Sequence, residues 1–95
     1  MRTRLSNDDI AERLNAAPGW EREGNWIRKQ FQFPDFKGAV AFVNRVAEAA
    51  EAMDHHPDID VRYNKVKLLT STHSAGGLTE MDFELARRID AAAQS

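Results

Sequence analysis

The hydrophobic period of this chain switches between helical and strand spacing four times, and no other feature limits its fold as much. Leu5, Ile10, Leu14 and Ala17 line one helical face behind Ser6, a good N-cap with Asp9 in capping-box position, and that helix ends before Pro18 and Gly19. In "WEREGNWIRKQFQF" the period falls to two. Ile27, Lys29, Phe31 and Phe33 point one way and Trp26, Arg28, Gln30 and Gln32 the other, after turn chemistry in "EGN". Pro34 and Asp35 stop the strand and cap "FKGAVAFVNRVAEAAEAM". There Phe36, Val40, Val43, Ala47 and Ala50 repeat at helical spacing, with Phe42, Val46, Ala49 and Met53 widening the stripe. This is the expected central, buried helix, and Pro57 ends it around Asp54. Ile59, Val61 and Tyr63 then alternate with Asp58, Asp60 and Arg62, and Asn64 in "YNKV" suits a tight turn into "VKLLTSTH". The last helix starts at Thr79 as N-cap, with Asp82 at N3, a staple between Leu78 and Phe83, and Leu85, Ala86 and Ile89 as its apolar face.

Hairpins force antiparallel pairing, so the expected class is α+β: one four-stranded antiparallel sheet with three helices packed on one face, in the order helix, hairpin, helix, hairpin, helix. Residues 1–95 form a single domain, because 95 residues leave no material for a second core. The opposite sheet face carries Trp26 and one of the adjacent leucines, Leu68 or Leu69. It is either solvated or covered by another subunit, and a homo-oligomer is expected of so small a chain. With 42% hydrophobic and 29% charged residues the chain is an ordinary globular protein. It lacks cysteine, which excludes disulfides, thiolate metal sites and a cysteine nucleophile. A formal charge of -2, without a basic segment, argues against nucleic-acid binding. No apolar h-region follows the arginines of "MRTRLSNDDI", and no run reaches the roughly 18 apolar residues of a membrane span, so a cytoplasmic location is expected.

The three histidines of the chain lie at element ends: His55 and His56 in "MDHHPD", and His73 before "SAGG", where glycine lets backbone approach a ligand closely. One histidine at a helix end is ordinarily a surface residue or a cation against the helix dipole. Three together raise two chemical readings. His55, His56 and His73 with Asp54 supply a zinc-like donor set, but neighbouring residues diverge by about 100° on a helix and point to opposite faces of a strand, and the i, i+4 pair of common zinc motifs is missing. Metal-free proton transfer fits better. Imidazoles titrate near pH 6.5, so a group of them supplies both an acid and a base at neutral pH.

The runs "MDHHPDI", "YNKV" and "LTSTHSAGGLTEMDFELA", with "GW" at Gly19–Trp20 and "FQFPDFKGAVAFVNRVA" upstream, resemble the pterin-4a-carbinolamine dehydratases over nearly the whole chain. That resemblance implies loss of water from 4a-hydroxytetrahydropterin, the product of aromatic amino acid hydroxylases, to give quinonoid dihydropterin without metal or organic cofactor. It implies His55, His56 and His73 as the catalytic set, with His55 and His73 as acid and base and His56 orienting. It also implies a dimer or tetramer, and a substrate-binding set of Glu51, Asp54, Pro57, Asp82 and Trp20. Bland readings stand beside these. Glu51 and Asp54 are equally well solvated carboxylates at a helix end, Pro57 shapes the turn, the capping box explains Asp82, and a tryptophan opening a hairpin is more often core. Ile59 departs from the family, some members of which have tryptophan there, so no aromatic wall is expected from that position. Some relatives also bind a homeodomain transcription factor and stabilise its dimer, which leaves open a non-catalytic binding or regulatory module that stabilises a partner protein.

Overall fold

The computed structural model describes residues 3–94; Met1 and Arg2, which open the segment read for a leader, and Ser95 lie outside the described residues. The elements are α1 (Asn7–Asn15), β1 (Glu21–Glu23), β2 (Trp26–Gln32), α2 (Phe36–Met53), β3 (Asp58–Arg62), β4 (Lys65–Thr70), a 3-10 turn (His73–Ala75) and α3 (Glu80–Ala93). Neighbouring strands are antiparallel in the order β1-β2-β4-β3. The expected class and element order are those observed. Among the described residues no helix is long and apolar enough to cross a membrane.

Each helix starts where its cap dictates. The side chain of Ser6 accepts from the Asp9 amide (3.1 Å), that of Asp35 from the Gly38 amide (2.8 Å), and Thr79 and Asp82 form a full capping box. The Tyr63–Asn64 turn between β3 and β4 needs a positive φ (53°) at Tyr63. Asn64 then bridges to β2, donating from its side chain to the Phe33 carbonyl (2.8 Å) and accepting from the Phe33 amide (2.9 Å).

Register settles which strand residues face the helices. Ile27 pairs with Thr70, Lys29 with Leu68 and Phe31 with Val66, so these share the inner face, while Arg28 and Leu69 pair on the open one. Leu68 is accordingly fully buried and Leu69 half-buried. The core joins Ile27, Val66 and Leu68 to Ile10, to Phe42 and Val46 of α2, and to Leu85, Ala86 and Ile89 of α3. Here the expected stripe of α2 needs correction. Ala39, Phe42, Val46 and Ala50 face the core, whereas Phe36 and Val40 are 53% and 37% exposed and Ala47 is exposed. The helix is apolar on two flanks, and the close packing of Phe42 between Phe31 and Phe33, each 4.9 Å away between ring centroids, selects the inward one.

Arg13 clasps α1 to α3 by donating to Glu80 from Nε (3.0 and 3.1 Å) and from Nη2. The guanidinium holds the Glu80 carboxyl below its usual range. A depressed carboxyl pKa contributes stability above the unfolded-state value and loses it as pH falls. The melting-temperature gap between wild type and Glu80→Gln, small because the pair is exposed, is therefore expected to close between pH 6 and about pH 3 in scanning calorimetry. The register makes a second prediction. Leu68→Ala should lose about 2–5 kcal/mol and Leu69→Ala under about 1 kcal/mol in urea unfolding.

Candidate active site

The site is built where α2 ends. Asp54 caps the helix in the left-handed conformation (φ 51°), which a short polar side chain tolerates, and the His55 amide reaches back to the Ala50 carbonyl at 3.0 Å. The chain reverses sharply there. Pro57 next holds His56 toward extended geometry. Two adjacent imidazoles are thereby sent different ways: His55 is 5% exposed and His56 lies at the surface.

His55 meets a fully buried carboxylate. Its Nε2 lies 2.7 Å from Asp82 Oδ1, which also accepts from the Thr70 hydroxyl at 2.8 Å. Asp82 Oδ2 accepts from the Thr72 hydroxyl (2.8 Å) and from the Thr79 amide (3.0 Å). All four partners can donate, which satisfies a carboxylate that would otherwise be costly to bury. The directions then follow in sequence. The Met81 amide donates to Thr79 Oγ1 (3.1 Å), Thr79 donates to Thr72 Oγ1 (2.9 Å), and Thr72 donates to Asp82. Asp82 accepts a hydrogen bond from the N–H at His55 Nε2, so the lone pair of the neutral ring lies on Nδ1.

The other two histidines are held differently. His56 Nε2 is 2.5 Å from Glu51 Oε2, both side chains being largely exposed. His73 projects from the 3-10 turn beside Trp26, ring centroids 5.4 Å apart at 74°. The turn starts one residue beyond Thr72, whose hydroxyl bonds Asp82, so both histidine-bearing segments are tied to that carboxylate. Two reciprocal bonds between Thr72 and Gly77 (3.0 and 3.3 Å) close its base. Among the described residues, no three His, Asp or Glu side chains come together as metal ligands.

Asp54 and Pro57 belong to the same reversal, and Glu51 to the turn of α2 before it. Trp20 does not join them. It is buried, with its indole N–H on Asp90 Oδ2 (3.1 Å) and its ring against Phe31. Asp90 lies eight residues beyond Asp82 on α3, roughly 12 Å along the axis. A cleft of about 460 Å3 between α1 and α3, with Ala17, Met81 and Phe83 in its walls, contains none of the histidines. Sequence reasoning missed Thr70 and Thr72 as partners of Asp82, and Trp26 as partner of His73. The signal for the threonines was parity. Val66, Leu68, Thr70 and Thr72 continue one inward row, and a hydroxyl in such a row demands a partner.

Comparison with known proteins gives a concordant picture. A family model described as pterin 4 alpha carbinolamine dehydratase matches residues 3–92. A protein of Roseiflexus sp. strain RS-1 named "Putative pterin-4-alpha-carbinolamine dehydratase" is 59% identical over 90 residues, 95% of this chain and 97% of that one. One of the same name from Sulfurisphaera tokodaii is 49% identical, over 92% of this chain and 94% of its own. The crystal structure of a transcriptional coactivator/pterin dehydratase from Brucella melitensis superposes with a TM-score of 0.92 at 38% identity, covering 96% of this chain and 99% of that one. A pterin dehydratase-like protein identified as a RuBisCO assembly factor in the alpha-carboxysome superposes at 0.66 with 25% identity, covering 80% and 88%. With the motifs, the fold and the matched length in agreement, the chain belongs to the pterin 4 alpha carbinolamine dehydratase family.

Proposed function

We propose that this protein dehydrates 4a-hydroxytetrahydropterin to quinonoid dihydropterin and water by metal-free histidine chemistry, in the cytoplasm, within the recycling of pterin used by aromatic amino acid hydroxylases. The observation that carries the reading is the buried His55–Asp82 pair inside a fully oriented hydroxyl network, beside two further histidines. The reaction balances without a redox partner. The C4a–O bond breaks as the hydroxyl takes a proton and leaves as water, the N5 proton passes to a base, and its electron pair forms the C4a–N5 double bond. One imidazolium and one imidazole on either side of the carbinolamine meet both demands. We assign these transfers to His55 and His73 and an orienting role to His56. Glu51, Asp54 and Pro57 border the ring, and Asp82 acts through His55.

A second reading rests on surface. Phe36 and Val40 line the outer flank of α2, and Ile59 and Val61, each 37% exposed, lie at the β3 edge. Apolar side chains there fit a homo-oligomer, and equally a partner protein stabilised by this one; two structural neighbours carry coactivator and assembly-factor roles. Turnover separates the two readings.

Freshly generated 4a-hydroxytetrahydropterin should be dehydrated well above the spontaneous rate, with no loss on adding a strong chelator; a rate equal to the spontaneous one would leave the partner-binding reading. His73→Ala, at an exposed position, is expected to lower kcat/KM by roughly two to four orders of magnitude while circular dichroism and melting stay close to wild type. His55→Ala should differ in kind. It leaves one buried oxygen of Asp82 short of a donor, so about 1–3 kcal/mol of stability should be lost along with activity in urea titration.

A further inference from the structure

His55 and His56 are each held by a carboxylate, whereas His73 is held by an aromatic ring. We propose that Trp26 is the positioning residue for His73: the indole fixes the imidazole's rotamer and so keeps it aimed at the reacting pterin. The inference rests on the dehydratase reading given above.

Three features make the contact a built one. Trp26 opens β2, one residue before Ile27, which pairs with Thr70; its place is therefore opposite Ser71, two residues from His73. The hydroxyl of Ser71 donates to the Asn25 carbonyl at 2.5 Å, tying the β1–β2 turn to the strand end that carries the histidine. The loop from His73 to Gly76 is clamped at its base by the Thr72–Gly77 pair, and Gly76 closes it with a positive φ (73°). The backbone on both sides is thus set, and what is left to define is the χ1 and χ2 of an exposed imidazole. An edge-to-face neighbour does that, and such pairs are worth about three- to tenfold in a conformational equilibrium. The other indole of the chain, Trp20, is engaged with Asp90 and Phe31 and takes no part. Ile59, on the edge strand, offers no ring.

The test compares Trp26→Leu and Trp26→Phe with wild type for kcat and KM on 4a-hydroxytetrahydropterin. The ring-proton resonances of His73 are followed by NMR and assigned with His73→Ala. Trp26→Leu should lower kcat about three- to tenfold with KM within about twofold, and Trp26→Phe should recover most of the loss. In wild type the His73 ring protons should be displaced by the indole ring current, and in Trp26→Leu that displacement should vanish. Wild-type kcat in a folded Trp26→Leu, or His73 protons at their denatured-state positions in wild type, would overturn the inference. Should Trp26→Leu fail to fold, the wild-type resonances and the Phe variant decide it. A wild-type protein without turnover removes the dehydratase reading, and the resonances alone still report whether the indole holds the ring.

Discussion

The carboxylate of Asp82 is the constraint on which the rest of the site depends. A buried carboxylate without donors would cost more than a small domain can supply, and every donor it receives comes from a different part of the fold. Thr70 ends β4, Thr72 begins the loop of His73, Thr79 starts α3 and His55 follows α2. One side chain thus ties the ends of three elements at one point. The capping role falls on Oδ2 and the histidine-holding role on Oδ1 of the same carboxylate. Reading Asp82 as a cap alone, which its spacing from Thr79 permits, is sound local chemistry that omits the second oxygen.

Much of this was legible in the sequence because local signals agreed with the global fold. Caps at Ser6, Asp35 and Thr79 and the alternation in two hairpins define the elements and their order. What escaped was orientation. Leu68 and Leu69 are both apolar, and only pairing with Lys29 and Arg28 places one inside. α2 is apolar on two flanks, and the fit of Phe42 among other rings decides between them, which periodicity cannot weigh. In the site, the clustering of histidines was plain from position, but their separate holders were not. The bond from His55 to Asp82 spans 27 residues and the contact from Trp26 to His73 joins two hairpins. Trp20 shows the reverse case, a residue whose sequence position suggests the site and whose neighbours, Asp90 and Phe31, assign it to the core.

The adjacency of His55 and His56 is the property that argued against a metal site, and the left-handed Asp54 is what turns it to use. A regular helix end would have fanned the two rings apart on the surface. With the chain reversed at Asp54, one ring enters the interior and its neighbour stays in water, so a dipeptide provides two imidazoles of different environment. Environment rather than residue type separates proton donors from acceptors in sites built of like groups.

The oriented threonine chain behind Asp82 also has a consequence for proton traffic. From the carboxylate it runs through Thr72 and Thr79 to the Met81 amide, a backbone group engaged as a donor with no second proton to pass on. Along that branch there is no wire to bulk water. Every proton on that branch is already committed to an acceptor, so the chain behind Asp82 fixes the direction in which His55 is held and carries no charge onward.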